Sequence, residues 1–82
     1  MPYLLKFHPA LADSIRRSTR RELVCAALRQ LARDIASVDN PRDLPSYGTP
    51  VSEKPGFGVY GVELFCRIDD ASETCEIIAF ST

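Results

Sequence analysis

The strongest constraint in this chain is a helical stripe. Val24, Leu28, Leu31, Ile35 and Val38 recur at intervals of three and four, with Leu23 and Ala27 beside them and Glu22, Arg29 and Arg33 projecting opposite. That spacing belongs to a helix that must bury one face. Thr19 and Glu22 have the T-x-x-E spacing of a capping box, which starts the helix there. Asn40-Pro41 ends it, because proline cannot continue a helix. A chain of 82 residues can bury one core and not two. Residues 1–82 are therefore read as a single domain, and the stripe needs a second layer to pack against.

The rest of the chain supplies that layer. Tyr3-Leu4-Leu5-Lys6-Phe7 reads as an N-terminal strand closed by His8-Pro9. Leu11 and Ile15 fall four apart in a short amphipathic helix over roughly residues 9–17, and His8 sits where it can cap that helix. Residues 39–58 hold four of the six prolines and three of the four glycines, so they are read as a long loop with at most an edge strand near Val51. From Val59 the texture becomes β-rich. Residues 59–68, a turn at 69–73 and a return run over 74–80 predict a hairpin with Ile68 facing Thr74. That register puts Val62, Leu64, Cys66 and Ile68 with Ile78 and Phe80 on one face. Glu63, Phe65 and Arg67 with Cys75, Ile77 and Ala79 fall on the other. One helix layer covers one face, leaving Phe65, Arg67 and Ile77 exposed as a working surface or a partner's groove; a slip of one residue exchanges the faces.

Charge is distributed unevenly. The net charge of −1 is the sum of a +4 half over residues 1–42, with eight bases against four acids, and a −5 half over 43–82, with two bases against seven acids. Arg16, Arg17, Arg20 and Arg21 crowd the junction of the two helices, where they form either a solvated corner or a site for a nucleic-acid backbone or an acidic partner. The three cysteines lack CxxC or Cys/His spacing, so they are read as reduced core thiols rather than a zinc site or disulfide scaffold. Asp69, Asp70, Glu73 and Glu76 do not make an EF-hand, and Pro55-Gly56-Phe57-Gly58 lacks the ending of a phosphate loop. No metal and no cofactor is expected. Lys6 interrupts the only early apolar run and nothing approaches the ~18 residues of a membrane span, so the expectation is a cytoplasmic protein without a membrane partner.

The whole layout is α+β: an N-terminal strand, then a helical hairpin packed on a small antiparallel sheet. In this it resembles the RelE/ParE family of toxin–antitoxin toxins. The resemblance is carried by the opening Met1-Pro2-Tyr3-Leu4-Leu5-Lys6-Phe7, the helical stretch from Ala10 to Val38, and Phe65-Cys66-Arg67-Ile68-Asp69-Asp70. It implies a toxin that cleaves ribosome-bound mRNA and is silenced by a cognate antitoxin. On that reading Lys54, Arg67 and Tyr60 are the catalytic set that positions the scissile phosphate, and Arg16 to Arg21 contact ribosomal RNA. The chain also departs from the family. Gly61-Val62-Glu63 stands where RelE-like nucleases usually carry an arginine, and Phe80-Ser81-Thr82 supplies neither the late arginine nor the late tyrosine. Those departures, with the acidic half, motivate the alternative: a binding module on the same scaffold without nuclease chemistry, whose Phe65 and Ile77 receive a short protein segment.

Overall fold

The computed structural model describes residues 2–48 and 55–82. Two helices pack on one face of a five-stranded sheet. In chain order the elements are β1 (Leu4–Phe7), α1 (Leu11–Arg17), α2 (Arg21–Ala36), a 3-10 turn (Pro41–Asp43), β2 (Tyr47–Gly48), β3 (Gly56–Val59), β4 (Val62–Asp69) and β5 (Thr74–Ser81). The strands lie in the order β1-β5-β4-β3-β2. The α+β expectation holds, but the sheet is mixed rather than antiparallel. β1 runs parallel to β5, with Leu5 against Cys75 and Phe7 against Ile77, while the remaining pairs are antiparallel. The parallel pair joins strands at opposite ends of the chain, separated by both helices and three strands, so no tight turn forces it antiparallel.

The helices form close to where the sequence places them. α2 buries Val24, Ala27, Leu31 and Ile35, with Leu28 and Val38 packed at the margin of the core. α1 contributes Leu11 and Ile15. His8 does not cap α1, which has no side-chain cap at its start; its Nδ1 accepts from the Ala10 amide at 3.1 Å, ahead of the helix. The Thr19–Glu22 capping box does not form. α2 begins at Arg21 without a side-chain cap, and Ser18 Oγ instead accepts from the Arg20 amide at 3.1 Å. At the other end Asn40 Oδ1 accepts from the Arg42 amide at 3.0 Å, which caps the 3-10 turn rather than the helix.

Residues 39–58 contain more structure than a loop. Pro41 and Leu44 are buried, and β2 and β3 both fall in this stretch. The edge strand expected near Val51 lies outside the described residues; the described edge strand is Tyr47–Gly48. The long run over 59–68 is also divided. Tyr60 and Gly61 have φ of 53° and 77°, the paired positive values of a tight two-residue hairpin turn, so β3 folds back on β4 with Phe57 opposite Leu64. Gly56 is required where it stands. A Cβ there would lie 2.7 Å from the Leu64 carbonyl oxygen and 3.2 Å from the Phe65 Cα, backbone that cannot yield without separating the strands. Gly56→Ala is expected to destabilise the domain by about 1–3 kcal/mol, as overpacking does; urea unfolding at unchanged slope measures it.

The β4–β5 register differs by one residue from the predicted hairpin. Asp69, not Ile68, faces Thr74, and Ile68 faces Cys75. Cys75 and Ile77 therefore turn inward beside Cys66. Beyond Ile77 the pairing jumps, with Cys66 against Ile77 but Phe65 against Ala79, so Ile78 is an extra residue on β5. This bulge restores Phe80 to the inner face, opposite Leu64.

Candidate partner-binding face

The sheet has two unequal faces. The inner one carries Phe57, Val59, Val62, Leu64, Cys66, Cys75 and Ile77 and is covered by α1 and α2. On the outer face, which no described helix covers, the register aligns Leu4 with Thr74, Lys6 with Glu76 and Arg67, Phe65 with Ala79 and Gly56, and Glu63 with Ser81 and Gly58. Leu4 is 61% exposed. A mixed apolar and charged surface thus runs across all five strands.

The predicted site residues distribute over this frame as follows. Phe65 and Arg67 lie on the outer face, Phe65 half-buried and Arg67 exposed. Ile77 does not. It is 0% exposed in the core, because the one-residue register change sends it to the inner face, and its assignment as a partner-binding residue is corrected accordingly. Tyr60 is 56% exposed in the β3–β4 turn, and its hydroxyl donates to Gln30 Oε1 of α2 at 3.1 Å. It leans toward the helix layer while Arg67 occupies the opposite side of the sheet, so these two do not converge on one scissile bond. Lys54 lies outside the described residues. Arg16, Arg17, Arg20 and Arg21 are all exposed at the corner between α1 and α2. Arg16 is paired with Asp13 at 3.1 Å, and the other three form no ion pair with a described residue.

Two groupings emerge that the linear sequence did not reveal. In the first, Lys6, Glu76 and Arg67 occupy one row across β1, β5 and β4, a carboxylate between two cations on the outer face. Their alignment depends on β1 docking parallel to β5, a contact between opposite ends of the chain. In the second, Asp70 accepts from the Tyr3 hydroxyl at 2.6 Å and from both terminal nitrogens of Arg42, at 2.9 and 3.3 Å. Hydrogen bonds from Arg42 and then Tyr3 hold the Asp70 carboxyl below its ordinary range, and Asp70 in turn pushes the Tyr3 hydroxyl up. This cluster joins the N-terminus, the 3-10 turn and the β4–β5 turn at one end of the sheet. Its groups satisfy one another, which suits a structural tie better than a site of proton transfer.

The thiols are in keeping with core packing. Cys66 and Cys75 are buried and Cys25 half-buried, all three free. The hydrogen bond that the Cys75 thiol donates to Cys66, together with burial, pushes the Cys75 thiol up, which keeps it protonated at neutral pH. Among the described residues no group of three or more His, Cys, Asp or Glu is placed to hold a metal ion, and no helix is long and apolar enough to cross a membrane. No protein-family model matches the sequence, and no curated protein is similar enough to it to count as a relative.

Proposed function

We propose that this chain is a partner-binding module of RelE/ParE-like layout, whose outer sheet face receives a short protein segment of the antitoxin kind. The observation that carries the reading is the outer face, which no described helix covers. A sheet coated by helices on one side exposes Leu4, Ala79 and part of Phe65 on the other, where an extended or helical partner segment can bury them. The nuclease reading loses support from the separation of Tyr60 and Arg67 across the sheet, and from the acids of residues 43–82, which repel phosphate.

One observation favours the second reading, ribosome-dependent mRNA cleavage. In the Lys6–Glu76–Arg67 row, Glu76 could accept the proton of an attacking 2′-hydroxyl while the two cations stabilise charge at the phosphate. The readings part in one experiment. On induction in a bacterial host the proposal expects normal growth and intact ribosome-bound mRNA by primer extension. It also expects a complex with the product of an adjacent short reading frame, weakened at least tenfold by Phe65→Lys. Cleaved mRNA from the native protein, abolished by Arg67→Ala and Glu76→Gln, would overturn it in favour of the nuclease.

A further inference from the structure

β1 stands at one end of the strand order, paired only with β5. The Leu4 amide donates to the Glu73 carbonyl and the His8 amide to the Ile77 carbonyl, both at 2.9 Å. Backbone groups alternate in direction along a strand, so Leu4, Lys6 and His8 face β5, while Tyr3, Leu5 and Phe7 turn their N–H and C=O groups to the other edge. None of these three bonds to a described backbone group there. The segment joining β2 to β3 does not reach that edge. It is tethered three or more strands away, ~14 Å at the usual strand spacing, and its seven peptide links extend out and back no farther than ~12 Å.

An edge with free ladder groups recruits another strand, and the residues on it say which. Tyr3, Leu5 and Phe7 share the inner face, an aliphatic side chain between two aromatic ones, a pattern that matches its own reverse. Pairing two copies antiparallel with Leu5 on a two-fold axis sets each Phe7 against the second copy's Tyr3 on the inner face. On the outer face it sets each Lys6 against the second copy's Leu4. All three outward-facing residues then fall at positions that exchange both their hydrogen bonds. Moving the axis to Lys6 would set like charges directly opposite each other, and moving it to Leu4 would part Phe7 from Tyr3. The axis stands perpendicular to the joined sheet, so both helix layers lie on one side of it. There Phe7, 49% exposed, borders an apolar groove of about 360 Å³ whose other walls include Leu11, Ala12, Ile15 and Leu28. The groove lies beside the second copy's Tyr3 and extends the contact past one short strand, which alone falls below the ~1,200 Å² of a stable interface. α1 carries Asp13 in its first turn and Arg16 and Arg17 in its last, and two copies related by this axis run antiparallel, acid toward base. We infer that the chain self-associates through β1, joining two five-stranded sheets into one. The inference does not depend on what the outer face binds.

The test is sedimentation equilibrium of the purified chain over ~5–500 µM, with amide hydrogen exchange measured at both ends of that range. A reversible dimer is expected. Its formation should slow exchange at Leu5 and Phe7 at least tenfold, while the Lys6 amide, turned to β5 in either state, is protected in both. Leu4 is 61% exposed, so changes there leave the single copy folded. Leu4→Lys, which opposes the second copy's Lys6 at both ends of the pair, should raise the dissociation constant at least fivefold, whereas Leu4→Glu should not raise it. Phe7→Lys should leave the chain monomeric. A monomer at every concentration would overturn the inference, and so would a dimer in which Leu5 and Phe7 exchange freely, or equal effects of the two Leu4 variants. Protection of Leu5 and Phe7 only in a complex with a different protein would assign the edge to that partner and overturn it as well.

Discussion

Replacing Phe57 by alanine is expected to destabilise the domain by about 3–5 kcal/mol, the usual cost of removing a buried aromatic ring. Phe57 is 1% exposed and heads the fully buried side chains in size. Its ring meets Tyr47 edge-on, with centroids 5.4 Å apart, and it sits opposite Leu64 in the ladder. Truncation therefore opens a cavity between β3 and α2 and removes the aromatic contact that holds the two-residue strand β2. Domains of this length have a total stability of roughly 4–12 kcal/mol, so a measurable fraction of the variant should be unfolded at 37 °C. Urea unfolding followed by circular dichroism measures the loss. Gly58→Ala, one residue away on the outer face, is the control, and it should be neutral or stabilising by up to about 1 kcal/mol, since alanine costs a strand less than glycine. Equal effects at the two positions would contradict the packing described here.

The second large effect is expected at Leu31, where alanine should cost about 2–5 kcal/mol. Leu31 is fully buried midway along α2. Alanine is the better helix former of the two, so the helix considered alone gains slightly from the change. The whole loss is tertiary: contacts and buried apolar area between α2 and the sheet. Arg29→Ala, on the exposed side of the same helix, should change stability by no more than about 0.5 kcal/mol. A loss at Leu31 of that small size would mean that α2 is held by its own propensity rather than by packing. Denaturant midpoints for the two variants decide the matter.

Phe57 and Leu31 differ in how visible their importance was. Leu31 belongs to a periodic stripe within a sixteen-residue helix that the residues announce locally, and its burial follows from its neighbours at three and four positions away. Phe57 stands between two glycines in a proline-rich stretch, with no alternation long enough to mark a strand. Its strand exists because the Tyr60–Gly61 turn folds it onto β4, and because Gly56 lets the two backbones meet. The positive φ of a tyrosine at the turn gave no signal of the usual Asn-Gly or Asp-Gly kind. The predicted loop thereby concealed the strand that carries the largest wholly buried side chain.

The candidate site was legible to the extent that local alternation governs it. The β4 alternation placed Phe65 and Arg67 on the outer face correctly. The β5 half of that surface failed at Ile77, because the hairpin loop spans Asp70 to Glu73 rather than beginning at Asp69, and one residue of register reverses a strand. The bulge at Ile78 then reverses it again, which is why Phe80 was placed rightly and Ile77 wrongly. The arginine corner, read from sequence as a surface cluster, is one.

The sequence by itself determined the two helices, the existence of a β-rich C-terminal half, the inward side of β4 and the division of charge between a basic and an acidic half. Each of these depends on spacings of two, three or four residues, which act within a single element. Tertiary structure alone decided the mixed sheet, the β5 register, the identity of β3 and the alignment of Lys6, Glu76 and Arg67. It also decided which backbone groups of β1 face the open edge. Those features arise where strands distant in the chain are brought side by side, and their geometry is set by which pairing buries the most apolar surface while satisfying every ladder hydrogen bond. No window of neighbouring residues contains that comparison.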